Sequence, residues 1–161
     1  MTARSNYSQA APGVLKAMMG LEAYLASSTL DRGLKLLVVL RASQMNHCAY
    51  CVDLHSHELR RHGETNERID LLAVWREAPH YTSRERAALA WTEALTHLAP
   101  AFVPDEVYAE ASAHFDEREL ADLTLAVAAI NAWNRFGVGF RLVPESAKKL
   151  AAAKENGGVA G

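Results

Sequence analysis

Asp31-Arg32-Gly33-Leu34-Lys35-Leu36-Leu37-Val38-Val39-Leu40-Arg41-Ala42-Ser43-Gln44-Met45-Asn46-His47-Cys48-Ala49-Tyr50-Cys51-Val52-Asp53-Leu54-His55 decides the fold, and it reads as helix, break, helix. Leu34, Leu37, Val38 and Arg41 share one face of a helix over 31–45, and the apolar run from Leu36 to Leu40 marks burial on more than one side. The pattern breaks at Asn46-His47. The next helix carries both cysteines and stops at Gly63, a residue suited to the left-handed position beyond a helix end. Cys48 then opens that helix, with Cys51 at i+3 and His55 at i+7, so the three share a face.

The same periodicity extends outward in both directions, while strand-like alternation with turn dipeptides is absent. Pro12 suits the first position of a helix through Leu15, Met18, Met19, Leu21 and Leu25, broken at Ser27-Ser28-Thr29. Thr65 caps a helix with Ile69, Leu72, Ala73 and Trp75 turned inward, and Pro79 ends it. Thr82 with Glu85 forms a capping box for a helix from Ser83 to about His97. Pro100 and Pro104 bracket a loop, and Pro104 opens a helix ending near His114. Asp116 with Glu119 caps a long apolar helix from Leu120 to about Phe136, loosened by Gly137 and Gly139, and Pro144 opens a last short one. The expectation is an all-α protein, a compact bundle of about six to eight helices in one domain over 1–161, with 1–9 and 156–161 flexible.

The bulk composition suits that reading. The chain has 161 residues, 50% apolar and 22% charged, enough for an ordinary core without staples. A net charge of −2 with intermixed signs argues against a nucleic-acid surface. The N-terminal residues lack a signal-peptide core, and no apolar run reaches membrane-spanning length, so no membrane is expected and the cytoplasm is the expected location. The two cysteines lie three apart, so a bridge between them closes almost no loop and adds little chain-entropy stabilisation. The uses that such spacing suits are chemical: a redox couple or part of a metal site.

Free N–H groups and the helix dipole favour a thiolate at a helix start, which singles out Cys48. Cys51 and His55, an i,i+4 pair, are within reach for proton transfer, directly or through one water. A low-pKa thiol, a second thiol to resolve it and a base near both are what peroxide or disulfide chemistry requires. Two other readings stay open: zinc held by the cysteines with His55 and either His47 or His57, and inert core cysteines.

Around this centre, His47 borders Cys48 and reads either as a group that polarises it or as a solvent-exposed loop histidine, and Tyr50 shapes access or packs. Trp75, Trp91 and Trp133 read as core or subunit-contact aromatics, and Asn131 and Asn134 as partners for buried polar groups. Arg41 reads as half of a structural ion pair, and Arg84-Glu85-Arg86 as a solvated first turn.

Leu40-Arg41-Ala42-Ser43-Gln44-Met45-Asn46-His47-Cys48-Ala49-Tyr50-Cys51-Val52-Asp53-Leu54-His55 resembles the core motif of the alkylhydroperoxidase D-like (AhpD-like) proteins, a branch of the carboxymuconolactone decarboxylase family. The resemblance continues through Gly63-Glu64-Thr65, Trp75-Arg76-Glu77-Ala78-Pro79, the stretch from Glu85 to Ala94, and Asn131-Ala132-Trp133-Asn134-Arg135-Phe136. It implies an all-α fold assembled as a homo-oligomer, trimer or hexamer, and a hydroperoxide-reducing enzyme with no bound cofactor. It also implies an external dithiol partner, dihydrolipoyl or thioredoxin-like. Carried over, Cys51 meets the peroxide, Cys48 resolves it and His55 relays protons. Two further readings are a redox-sensing or zinc-binding oligomer, and the family's lactone decarboxylation, which needs no cysteine pair. One departure matters: the relay's usual glutamate falls at Leu36. Asp53 points away from the shared face, whereas Glu58, at i+3 from His55, falls on it and is the nearest substitute, although a solvated surface role suits it better.

Overall fold

Most helix starts are fixed by a side chain that accepts a free first-turn N–H. Asp31 accepts from Leu34, Thr65 from Arg68, and Thr82 and Asp116 form complete capping boxes with Glu85 and Glu119. The computed structural model describes residues 2–99 and 102–157, with side chains through residue 153, so Pro100 and the end of the expected C-terminal tail lie outside the described residues. Within them the chain is all-α, with helices α1 (Tyr7–Ala10), α2 (Pro12–Ser27), α3 (Arg32–Met45), α4 (Ala49–His62), α5 (Asn66–Leu71), α6 (Ser83–Thr96), α7 (Asp105–His114), α8 (Glu117–Gly139) and α9 (Glu145–Gly157). A 3-10 turn over Leu72–Val74 follows α5.

Helix α3 is the hub, packed against α4, α6 and α8, as its apolar girth requires. One core cluster joins Leu34 and Val38 to Ala88 and Trp91 of α6 and Leu123 and Val127 of α8. A second joins Leu36, Leu37 and Leu40 to Leu59 of α4, Ile69, Leu72 and Trp75. The third is small: Ala42, Cys48, Cys51 and Ile130, where α3, α4 and α8 converge.

Ion pairs tie the elements together. The Glu93 carboxylate accepts from Arg41 Nε (2.7 Å) and Trp75 Nε1 (2.8 Å), and pairs with Arg76. This is the structural pair expected of Arg41.

Four expectations need correction. Ala73 is exposed, because the 3-10 turn rotates it out of the face that Ile69 and Leu72 occupy. Arg84, Glu85 and Arg86 are not a solvated turn. Arg84 lies over the Phe115 ring and binds Glu119, Glu85 pairs with Arg68, and Arg86 donates to the carbonyls of Trp75, Arg76 and Ala78. Gly137 and Gly139 do not loosen α8, which runs through both. Finally, a turn of helix, α1, precedes Pro12: the Tyr7 ring packs, tilted, against Phe136 and Phe140 at 4.8 and 5.2 Å between centroids, and Arg4 N–H donates to the Phe140 carbonyl.

Candidate active site

The link between α3 and α4 places the cysteines. His47 adopts a left-handed backbone (φ 53°), its N–H reaching the Gln44 carbonyl while Cys48 N–H reaches that of Ser43. These two bonds close the end of α3 as a left-handed helix stop, and the next residue starts α4. His47 therefore serves as a turn residue; its side chain is exposed and does not line the site. Cys48 is the N-cap of α4, its Sγ accepting from Cys51 N–H at 3.4 Å. Gly63 (φ 101°) ends the helix.

Both thiols are free and buried, with Cys48 1% and Cys51 4% exposed. The Cys48 thiol is held well below the usual thiol range. The hydrogen bond it receives from the Cys51 thiol contributes most; burial opposes it, while the Cys51 N–H and the Asn134 amide add to it. Cys51 is pushed up by donating that bond, by burial and by the negative charge on Cys48. The pair thus holds one proton, on Cys51, when Cys48 is a thiolate. The Asn134 amide is itself fixed: it donates to Ser43 Oγ (3.1 Å) and accepts from Asn46 (2.9 Å), which also donates to Asn131. Asn131 and Asn134 thus satisfy buried polar groups, as their shared face suggested.

Cys51, His55, Glu58 and Tyr50 of α4 open onto a cavity of about 410 Å³. Lys35 and Val39 of α3, Ile130 and Trp133 of α8, and Tyr7 and Leu142 from the chain's two ends complete much of its wall. Cys48 does not line it; it sits behind Cys51. Tyr50 is therefore part of the site. His55 Nδ1 lies 2.7 Å from Glu58 Oε2. Glu58 is held below the usual carboxylate range, chiefly by that hydrogen bond, with burial opposing and Arg32 and Lys35 helping. A carboxylate can only accept, so His55 Nδ1 donates and the ring's other nitrogen is left for proton exchange. Glu58 remains 38% exposed, so it is both a solvated glutamate and the partner of His55. Leu36 sits in the second apolar cluster, whereas α3 faces the cavity with Lys35 and Val39.

Asp53, as expected, points elsewhere, accepting from Ser146 N–H of α9. Among the described residues, no group of three or more His, Cys, Asp or Glu is arranged to hold a metal ion, and no helix is long and apolar enough to cross a membrane. Lys35, Tyr7 and Trp133 were not foreseen as lining. Lys35 and Trp133 come from separate helices and Tyr7 from the segment before Pro12, so no local spacing marks them.

An all-helical bundle with a dithiol at a helix start, a carboxylate-held histidine and a mostly apolar cavity beside them defines a class of thiol-bearing helical proteins. The chain belongs to the carboxymuconolactone decarboxylase family, whose model matches residues 12–94. It is 40% identical over 138 residues to the uncharacterized protein YdfG of Bacillus subtilis (strain 168), covering 86% of this chain and 94% of that one. A solved structure from Agrobacterium tumefaciens, of unknown function and named for the antioxidant defence protein AhpD, superimposes with a TM-score of 0.87 at 45% identity, over 89% of this chain and 98% of that one. The debrominase Bmp8 shares the fold (TM-score 0.76, 23% identity, 86% of this chain and 75% of that one).

Proposed function

We propose that the chain is a thiol-dependent peroxidase that reduces hydroperoxides through the Cys48–Cys51 pair. The observation that carries this reading is the division of labour at the site. Cys51 opens onto the cavity beside His55, while Cys48 stands behind it with its thiol held below the usual range by the hydrogen bonds it accepts.

In the reaction, the Cys51 proton passes to the Cys48 thiolate as Cys51 sulfur attacks the distal oxygen of the hydroperoxide. The O–O bond breaks, Cys51 becomes a sulfenic acid, and the alkoxide takes a proton from His55 to leave as alcohol. Cys48 sulfur then attacks the Cys51 sulfur; the S–O bond breaks, and the departing hydroxide takes the Cys48 proton to leave as water. One hydroperoxide is reduced to alcohol and water and two thiols are oxidised to a disulfide. A protein-borne dithiol, dihydrolipoyl or thioredoxin-like, returns two electrons and two protons by exchange. The cytoplasm, which keeps thiols reduced, suits this cycle, and a trimer or hexamer is the assembly we expect of it. Because Glu58 is partly solvated and stands in for the relay glutamate absent at Leu36, turnover is modest.

The test is turnover of cumene hydroperoxide with a supplied dithiol. Cys51→Ser should abolish turnover, and Cys48→Ser should abolish it while leaving a dimedone-reactive sulfenic acid on Cys51. Wild-type turnover in both serine variants, or stoichiometric zinc held by the two thiols, overturns the proposal.

A further inference from the structure

Helix α8 meets the thiol pair at a glycine. A Cβ built on Gly137 would lie 2.5 Å from Cys48 Sγ and 3.4 Å from Cys51 Sγ. The first distance is far inside van der Waals contact, so no side chain can stand there with Cys48 where it is. Gly137 is buried and helical, in a helix where alanine is intrinsically preferred by about 1 kcal/mol. One turn earlier on the same face stands Asn134, 1% exposed, its amide fixed by Ser43 and Asn46. Two residues on, Gly139 has open space where its Cβ would be. The notch is thus local to the sulfurs.

We propose that Gly137 is a positioning residue for the cysteine pair. By withholding a side chain from α8, it seats Cys48 Sγ where that sulfur accepts the Cys51 N–H, faces the Asn134 amide, and can close on Cys51. The cysteine motif supplies the thiols; α8, some ninety residues further along the chain, supplies the room in which one can reach the other. The inference rests on the dithiol reading above, but its first test needs no peroxide turnover.

Gly137→Ala and the control Gly139→Ala are titrated by thiolate absorbance at 240 nm. Each is also oxidised with one equivalent of cumene hydroperoxide while the Cys51 sulfenic acid is trapped with dimedone. In Gly137→Ala the Cys48 titration should move up toward the ordinary thiol range, and the trapped fraction should rise as disulfide closure slows at least tenfold. Gly139→Ala should match wild type in both. Thermal melting of Gly137→Ala in wild-type and Cys48→Ala backgrounds covers the case of a poorly folded variant. Removing the sulfur leaves space for the methyl, so the destabilisation should disappear in the double variant. A Gly137→Ala protein that titrates and closes as wild type overturns the proposal, as does equal destabilisation in both backgrounds. A chain that reduces no peroxide yet shows the titration shift would sink the peroxidase reading and leave this one standing.

Discussion

Replacing Glu58 by glutamine probes the weakest link of the site. The wild-type contact is a 2.7 Å hydrogen bond from His55 to a carboxylate. A charge-assisted bond of this kind contributes about 1.5–3 kcal/mol against about 0.5–1.5 for a neutral one. Glutamine still accepts from Nδ1, so the loss is about 1–1.5 kcal/mol before screening. Glu58 is 38% exposed, so water takes the effect to the lower end, about 1 kcal/mol. That corresponds to roughly a fivefold fall in kcat/KM for the hydroperoxide. Glu58→Ala, which frees the imidazole to swap tautomers, should fall further. The assay is single turnover of cumene hydroperoxide by the pre-reduced protein, with reduction by the dithiol followed separately and expected to be unchanged. Full rates in both variants would show that His55 needs no orienting carboxylate. Loss in Glu58→Gln as complete as in Cys51→Ser would make Glu58 itself the proton carrier.

Titration of the reduced protein at 240 nm should show one thiolate formed below the ordinary thiol value of about 8.5 and the second formed above it. Alkylation by iodoacetamide should therefore decline only as pH falls through that first midpoint, and Cys51→Ser should raise the midpoint by removing the donor that contributes most. His55, Tyr7 and Tyr50 also face the pair, so the titration is best repeated in Tyr7→Phe; a single step near 8.5 in the wild type refutes the assignment. Leu36→Glu should not raise turnover, since it exchanges apolar burial for a carboxyl in the second cluster at a cost of about 3–5 kcal/mol. Urea unfolding checks this, and faster turnover without destabilisation contradicts it. Glu93→Ala should cost about 3–5 kcal/mol, because it strands Arg41, 16% exposed, and the Trp75 N–H. A thermal midpoint within two degrees of wild type would refute that.

Much of this architecture was readable because its determinants are local. Thr82 with Glu85, Asp116 with Glu119, and Gly63 each act within one helical turn, and the alignment of Cys48, Cys51 and His55 spans two turns of a single helix. What escaped reading is non-local. Arg84 looks like a surface charge until Phe115 and Glu119 arrive from α7 and α8. Tyr7 belongs to the cavity only because α8 ends beneath it. Sequence marks His47 as a loop histidine beside Cys48 but not its left-handed backbone, which a histidine does not announce as a glycine does. Gly137 looks like a weak point of its helix in sequence, whereas the close approach of Cys48 gives it a positive reason to be there.

The double duty of Cys48 couples chemistry to folding. In the proposed cycle, the sulfur that would resolve the sulfenic acid is also the atom that caps α4. A thiolate is a charged acceptor at the positive end of the helix, whereas a disulfide sulfur is neutral and weak. If the proposed cycle holds, each oxidation withdraws the cap and each reduction restores it, and the amides of the first turn should gain and lose protection from exchange in step with turnover. The same element would then alternate between a tightly and a loosely anchored beginning, and the oxidised state, whose disulfide would meet the incoming reductant, is the one in which that beginning should open most easily.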